Sequence, residues 1–232
     1  LPVFGVAPVS GTGVIAPEIG EARHRDLCTD CGVSRSSFAS QCGTACQFIH
    51  PRYDEHEARV HGRARDMARE DERFFGPYLE MHRARLTRPA AGAQWTGITS
   101  RLGALLLERG LVDAVIATAS DPEDRWKPRP VLVTRAEGMA ECRGMKMGYS
   151  PALALLDEAA ARGYKRIAMI GVACQVHALR ALEPRLGLEA LYVIGTPCSD
   201  NTTTERFHDF LALLSDRPDE VTYLEFMPDL HV

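Results

Sequence analysis

The sequence lacks any long apolar run: stretches such as Arg166 to Val172 are far too short to cross a bilayer. It also lacks the basic-then-apolar opening of a secretory signal. No sign of charge dominates, the net being −4, so nothing favours a general nucleic-acid or membrane-surface binder. There is no internal repeat and no low-complexity tract. The cysteines do not make an even number: seven fit poorly with a fully paired disulfide framework and better with thiols kept reduced for metal or chemistry. A reducing, cytoplasmic location follows as the expectation. An initiator methionine is missing too, and Val221 to Met227 reads as a strand that has only begun a further unit, so the chain is expected to be a fragment. What is present is ordinary globular composition, 45% hydrophobic and 25% charged over 232 residues. That length suffices for an α/β domain with a smaller appendage. Nothing in the sequence fixes an oligomeric state.

The pattern changes along the chain. Residues 1–90 are Gly/Pro-rich at first, then cysteine-bearing, then strongly charged from Arg52 to Arg88, with breaks at Gly76-Pro77 and Arg88-Pro89. This part reads as an irregular N-terminal region, and residues 91–232 as an α/β domain. Leu102, Leu105, Leu106 and Leu107 mark a helical face ending at Gly110. Strands are predicted at Val112–Thr118 and Val131–Thr134. A helix is predicted from Ser150-Pro151 to Gly163, with the serine capping and the proline in the first turn. Strand Arg166–Ile170, helix Gln175–Leu182, strand Leu191–Ile194, helix Thr203–Leu214 and strand Val221–Phe226 follow. Ile/Val-rich strands alternating with helices predict a mostly parallel sheet flanked by helices. Ligands are then expected on the loops leaving the strands' carboxyl ends, 171–175 and 195–201.

Cys28, Cys31, Cys42 and Cys46 give the spacing C-x2-C-x10-C-x3-C. A C-x2-C pair lets two thiolates reach one metal centre from a single turn, and the second pair can close the coordination sphere. Zinc and a four-iron cluster both accept four thiolates. Cys174 and Cys198 each follow a predicted strand; Cys142 lies in a Gly/Met-rich loop, and for any one of these three a buried, inert thiol is the commoner role.

The segments Gly171–Arg180, Leu191–Asn201 and Tyr223–Asp229 resemble the beta subunit family of coenzyme F420 hydrogenases and dehydrogenases. Within it the likeness is to the chlorophyll-pathway branch, the ferredoxin-dependent divinyl chlorophyllide 8-vinyl reductases and the 7-hydroxymethyl chlorophyll a reductases, from Leu27 onward. The resemblance implies an oxidoreductase with FAD and two [4Fe-4S] clusters, reduced ferredoxin as donor and a chlorin or protochlorophyllide-type substrate. Single electrons collected on the flavin would reduce an 8-vinyl group to ethyl in (bacterio)chlorophyll biosynthesis. The alternatives are 7-hydroxymethyl reduction, F420-linked oxidoreduction, or a non-catalytic electron-transfer or zinc-scaffold subunit.

The resemblance also implies site residues. Cys28, Cys31 and Cys46 occupy three of the family's four N-terminal cysteine places and Ser34 the fourth, with Cys42 the natural replacement because a serine oxygen is an uncommon ligand for such a cluster. Cys198 is the implied ligand of the second cluster, whose other cysteines are expected beyond Val232; Cys174 and Cys142 are weaker candidates. Flavin contacts are implied around Lys146 to Ser150 and at Gly171, with Cys174, Asp200 and Asn201 nearby. A lysine and a serine at a helix N-terminus suit a pyrophosphate. Asn201 equally suits a helix cap, and His177 reads as a packing or surface residue rather than a proton donor. Trp95, Met145, Met147 and Tyr149 are candidates for an apolar slot. No catalytic acid is distinguishable.

Overall fold

The structure is a computed structural model that describes residues 6–21, 28–88, 90–94, 96–198 and 201–224. Its centre is strand β2 (Ala114–Ser120), whose alternate side chains enter two different cores. Ala114 and Ile116 face one way, against Leu132, Ile167, Met169, Leu153, Leu179 and Leu182. Val115, Ala117 and Ala119 face the other, against Val131, Val133, Ala168 and Met139. Strands β1 (Val14–Ile15), β3 (Pro128–Val133), β4 (Arg166–Val172) and β5 (Ala190–Thr196) complete a five-stranded sheet in the order β1-β3-β2-β4-β5.

The sheet is mixed, which corrects the mostly parallel reading. β3 runs antiparallel to both β1 and β2, whereas β2, β4 and β5 run parallel. Only residues 121–127 separate β2 from β3. So short a connection makes a hairpin, since a parallel neighbour needs a crossover of a dozen residues or more. Helix also exceeds strand among the described residues, 38% against 14%.

Helix α4 (Ile98–Glu108) covers one face. Its buried stripe runs through Gly103 and Ala104, with Leu106 and Leu107 partly covered, while Leu102 points outward. Helices α5 (Leu155–Ala161) and α6 (Ala173–Leu186) cover the other face. α5 is preceded by a 3-10 turn, Ala152–Ala154, in place of the expected helix start. Ser150 does not cap it: its carbonyl takes the Ala152 N–H at 2.7 Å, and its hydroxyl lies 2.9 Å from that of Thr118. Helix α7 (Thr204–Leu214) is capped by Thr203, whose hydroxyl accepts the Arg206 N–H. Residues 221–224 are not a strand, and the rest of the strand expected there lies outside the described residues.

The N-terminal region is more ordered than an irregular segment. It forms 3-10 turns at Val33–Arg35 and Ala39–Gln41 and helices α1 (Cys42–Ala45), α2 (Tyr53–His61) and α3 (Glu70–Phe75). Val33 and Ala45 are buried in the same core as Leu153, Leu179 and β2. As a description of the fold, an iron–sulfur segment is corrected too: among the described residues, no three His, Cys, Asp or Glu side chains are gathered tightly enough to hold a metal ion.

α2 packs on α6 through two histidines. His177 Nδ1 bonds the Ala45 carbonyl at 3.1 Å and so carries the proton, which leaves Nε2 to accept the Arg52 N–H at 3.0 Å. His177 is thus the packing residue the sequence suggests. His56 meets it edge to face at 4.7 Å, with both its ring nitrogens buried and unpartnered among the described residues. Burial, then the neighbouring His177 and Arg59, lower the His56 pKa from 6.5 to about 4. Between those values the unfolded chain binds the proton more readily, so the stabilisation is complete above pH 6.5 and is lost as pH falls towards 4. After allowing for partial exposure this amounts to about 1–2 kcal/mol. His56→Phe should remove that portion of the acid sensitivity, measured as the difference in urea stability between neutral and mildly acidic buffer. An unchanged difference would refute the assignment.

Candidate functional site

The carboxyl ends of the parallel strands β2, β4 and β5 lie on one side of the sheet, and the cysteine segment docks there. The Cys31 carbonyl accepts the Leu153 N–H at 3.0 Å, which fastens residues 31–32 to the turn before α5. The docking is close enough to require glycine at 32. Its φ is +104°, and a Cβ there would stand 2.5 Å from both the Ala154 nitrogen and the Pro151 carbonyl oxygen. Just before it, Asp30 has φ +47° and is buried, and its carboxylate is gripped by the Arg35 guanidinium, with Nε at 2.8 Å. The Asp30 N–H in turn donates to Cys28 Sγ at 3.3 Å.

This docking brings together thiols that are far apart in sequence. None of the seven cysteines, all of them described, forms a disulfide. Burial pushes the Cys31 thiol up to about 12; the Val33 N–H opposes this, and the charges of Cys174, Cys42 and Cys28 add to it. Cys42 is raised by burial and then by Cys28 and Cys46. Cys174 is raised by burial, against hydrogen bonds from the Thr29 hydroxyl and the Gln175 N–H, and it senses Cys198. Cys28, Cys31, Cys42 and Cys46 therefore share one neighbourhood, and Cys174 with exposed Cys198 extends it to the start of α6 and the end of β5. Ser34 is buried in the 3-10 turn beside Val33. Cys142 is elsewhere: burial raises it to about 11, and its charged neighbours are Lys146 and Glu141.

Such a donor set is all thiol. Ionising several thiols side by side in a half-buried place is unfavourable unless a cation holds them, which is what a zinc or iron–sulfur centre does. The sulfurs fit such a centre chemically, although their present spacing does not close a ligand sphere.

The expected flavin-side residues fall on the same edge. Gly171 lies within β4, and a Cβ there would come 2.5 Å from Met169 Cε and 2.8 Å from Gln175 Oε1. Gln175 Oε1 accepts the Val172 N–H at 3.1 Å, and its amide donates to the Ser150 carbonyl at 2.7 Å. One side chain thus joins the end of β4, the start of α6 and the turn at 150. Cys174, expected on a loop, occupies the first turn of α6. Asn201 does not cap α7; its amide donates to the Gly148 carbonyl at 3.1 Å. Asp200 and Trp95 lie outside the described residues. The Lys146 ammonium donates to the carbonyls of Arg143 (2.6 Å) and Gly144 (3.3 Å), and burial lowers its pKa to about 8.

The hairpin 121–127 stands at the same edge, bound to α7. Asp124 pairs with His208 at 2.8 Å, and Trp126 meets Phe207 edge to face at 5.2 Å. Met145 and Met147 pack against this aromatic pair, while Tyr149 is exposed. Thr29, Thr118 and Gln175 were not anticipated as site residues. Gln175 had a readable signal, since a glutamine three positions into a helix often turns back to the helix start; the two threonines had none.

Residues 81–157 match the N-terminal region of the coenzyme F420 hydrogenase/dehydrogenase beta subunits, and residues 164–232 match the C-terminal region. The chain is 41% identical over 213 residues to the chloroplastic 7-hydroxymethyl chlorophyll a reductase of Oryza sativa subsp. japonica, covering 90% of this chain and 45% of that protein. It is 40% identical over 208 residues to an uncharacterized Nostoc protein, covering 90% and 52%. The chain thus spans about half the length of these relatives. The fold is similar to that of a chain in the structure of the F420-reducing [NiFe] hydrogenase complex from Methanosarcina barkeri, with a TM-score of 0.55 and 24% identity over 59% of this chain and 50% of that one. Among the described residues, no helix is long and apolar enough to cross a membrane.

Proposed function

Because the chain belongs to the coenzyme F420 hydrogenase/dehydrogenase beta subunit family, we propose that it is part of an oxidoreductase that reduces a side group of a chlorin, in the manner of a 7-hydroxymethyl chlorophyll a reductase. The observation that carries this is the gathering of Cys28, Cys31, Cys42 and Cys174 at the carboxyl edge of the sheet, beside Gly171 and Ser150. The identity with the rice reductase over 90% of the chain supports the substrate class. Reduction of an 8-vinyl group is the second reading, favoured by the motif resemblance at Gly171–Arg180 and Leu191–Asn201.

In this reading Cys28, Cys31, Cys42 and Cys46 hold a [4Fe-4S] centre, Cys198 contributes to a second, and reduced ferredoxin is the donor. Lys146, Ser150, Gly171, Cys174, Asp200 and Asn201 belong to an FAD site. When bound, these groups supply single-electron and hydride chemistry. The chain's own residues position and shield. Thr29 and the N–H groups opening α6 orient the Cys174 sulfur. Gln175 holds the end of β4 against Ser150. Gly32 lets the thiols approach the sheet. The four thiols of the first centre then belong to residues 1–90, and Cys198 with the nucleotide-side contacts to residues 91–232.

The test is anaerobic purification with iron, sulfide, zinc and flavin measured, followed by turnover with reduced ferredoxin and two chlorins. Iron, sulfide and FAD with conversion of 7-hydroxymethyl to 7-methyl chlorophyll a is the expected result. Conversion of divinyl chlorophyllide alone would select the second reading. Zinc without flavin would defeat both.

A further inference from the structure

We propose that the pocket between α1 and the C-terminal half of α6 is the docking point of an acidic electron-carrier protein, one of whose carboxylate side chains enters it. The proposal rests on the redox reading above and names the surface through which that site is supplied.

The pocket has a volume of about 150 Å³ and is lined by Gln41, Thr44, Ala45, Arg52, Ala181, Leu182 and Arg185. Its charged lining is wholly cationic, in a protein whose net charge is −4. Arg185 has no ion-pair partner among the described residues, and Arg52 has only Glu55, at 3.6 Å, itself well exposed. Thr44 and Gln41 add neutral hydrogen-bonding groups, the Thr44 hydroxyl donating to the Gln41 carbonyl at 3.0 Å. Two guanidiniums with an amide and a hydroxyl make a receptor for a carboxylate.

Two features favour a protein over a small anion. Phe48 and Ile49, on the segment that joins the lining residues Ala45 and Arg52, and Tyr53, next to Arg52 in the chain, are 64%, 62% and 47% exposed, apolar surface of the kind found at protein interfaces. The lining residues Gln41 and Ala45 also directly precede Cys42 and Cys46 in the chain, at the two ends of the four-residue helix α1, so the pocket adjoins the segment that carries two of the shared thiols. Attraction between the arginines and an acidic carrier would guide the encounter and weaken with salt.

The experiment measures binding of a plant-type [2Fe-2S] ferredoxin to the anaerobically purified full chain, with and without Arg185→Glu. The expected result is about tenfold weaker binding at low ionic strength, with the gap closing at high salt. Arg185→Lys should retain most of the affinity, and Arg217→Glu, on an exposed residue paired with Glu220, should not alter it. Bleaching by dithionite, a small reductant that needs no docking surface, should be the same in all four proteins. Ferredoxin affinity unmoved by Arg185→Glu overturns the proposal, as does an equal loss in Arg217→Glu. Inorganic phosphate binding abolished by Arg185→Glu while ferredoxin binding persists would make the pocket a small-anion subsite and also overturn it. Absence of dithionite bleaching in the unsubstituted chain would defeat the redox reading itself, a result distinct from an unmoved affinity.

Discussion

Gly32→Ala is expected to cost about 3 kcal/mol or more and to strip the chain of its redox centre. A left-handed backbone costs an L-residue roughly 1–2 kcal/mol. Overpacking adds about 1–3 kcal/mol where the neighbour cannot move. Here the neighbours are the backbone nitrogen of Ala154 and the carbonyl of Pro151, both 2.5 Å from the added carbon. The segment must lift away, and the hydrogen bond from Leu153 to the Cys31 carbonyl goes with it. Denaturant unfolding measures the first effect and iron content the second. Gly62→Ala is the matched comparison: its φ is +77° but nothing lies within 4 Å of the added carbon, so it bears the backbone cost alone. Equal losses in the two variants would mean that the contact at 151–154 contributes nothing.

Cys31→Ser is expected to lower bound iron by at least half and turnover on the order of 100-fold or more, the scale at which metal sites respond to much gentler changes. Cys31 is the thiol that senses Cys28, Cys42 and Cys174 together. Cys142→Ser should leave iron unchanged, because Cys142 faces Lys146 and Glu141 instead. Iron content compared between these two variants decides the matter. Retention in Cys31→Ser, or matching loss in Cys142→Ser, would refute the ligand assignment.

The parts of the fold written in local pattern were legible before the structure. β4, α6 and α7 appear where apolar periodicity and Thr203 put them, β4 and α6 longer than expected and α7 starting one residue later. β1 was invisible because two residues, Val14 and Ile15, carry no period; their partners Val133 and Leu132 lie over a hundred positions away. The direction of β3 was missed because its start was placed at Val131, three residues late. Its first residues, Pro128 to Pro130, look unlike a strand, since proline cannot donate to the ladder. At Ser150 the local rule for a helix start lost to tertiary contacts, the serine being engaged by Thr118 and Gln175. The cysteine spacing was plain in the sequence. That Cys174 stands beside Cys31 was not, because 143 positions separate them and long-range contacts, such as the bond between Leu153 and Cys31, bring their surroundings together.

The β2–β3 hairpin is a place where this fold can vary at little structural expense. Its two strands keep register through their own ladder, from Val115 opposite Val133 to Ser120 opposite Pro128. Extra residues inserted at its tip, 122–123, would leave the sheet undisturbed while altering how tall a wall it raises beside the carboxyl edge of the parallel strands. Divergent members of such a lineage could in this way admit bulkier or slimmer molecules, with the sulfur-bearing half of the protein left as it is.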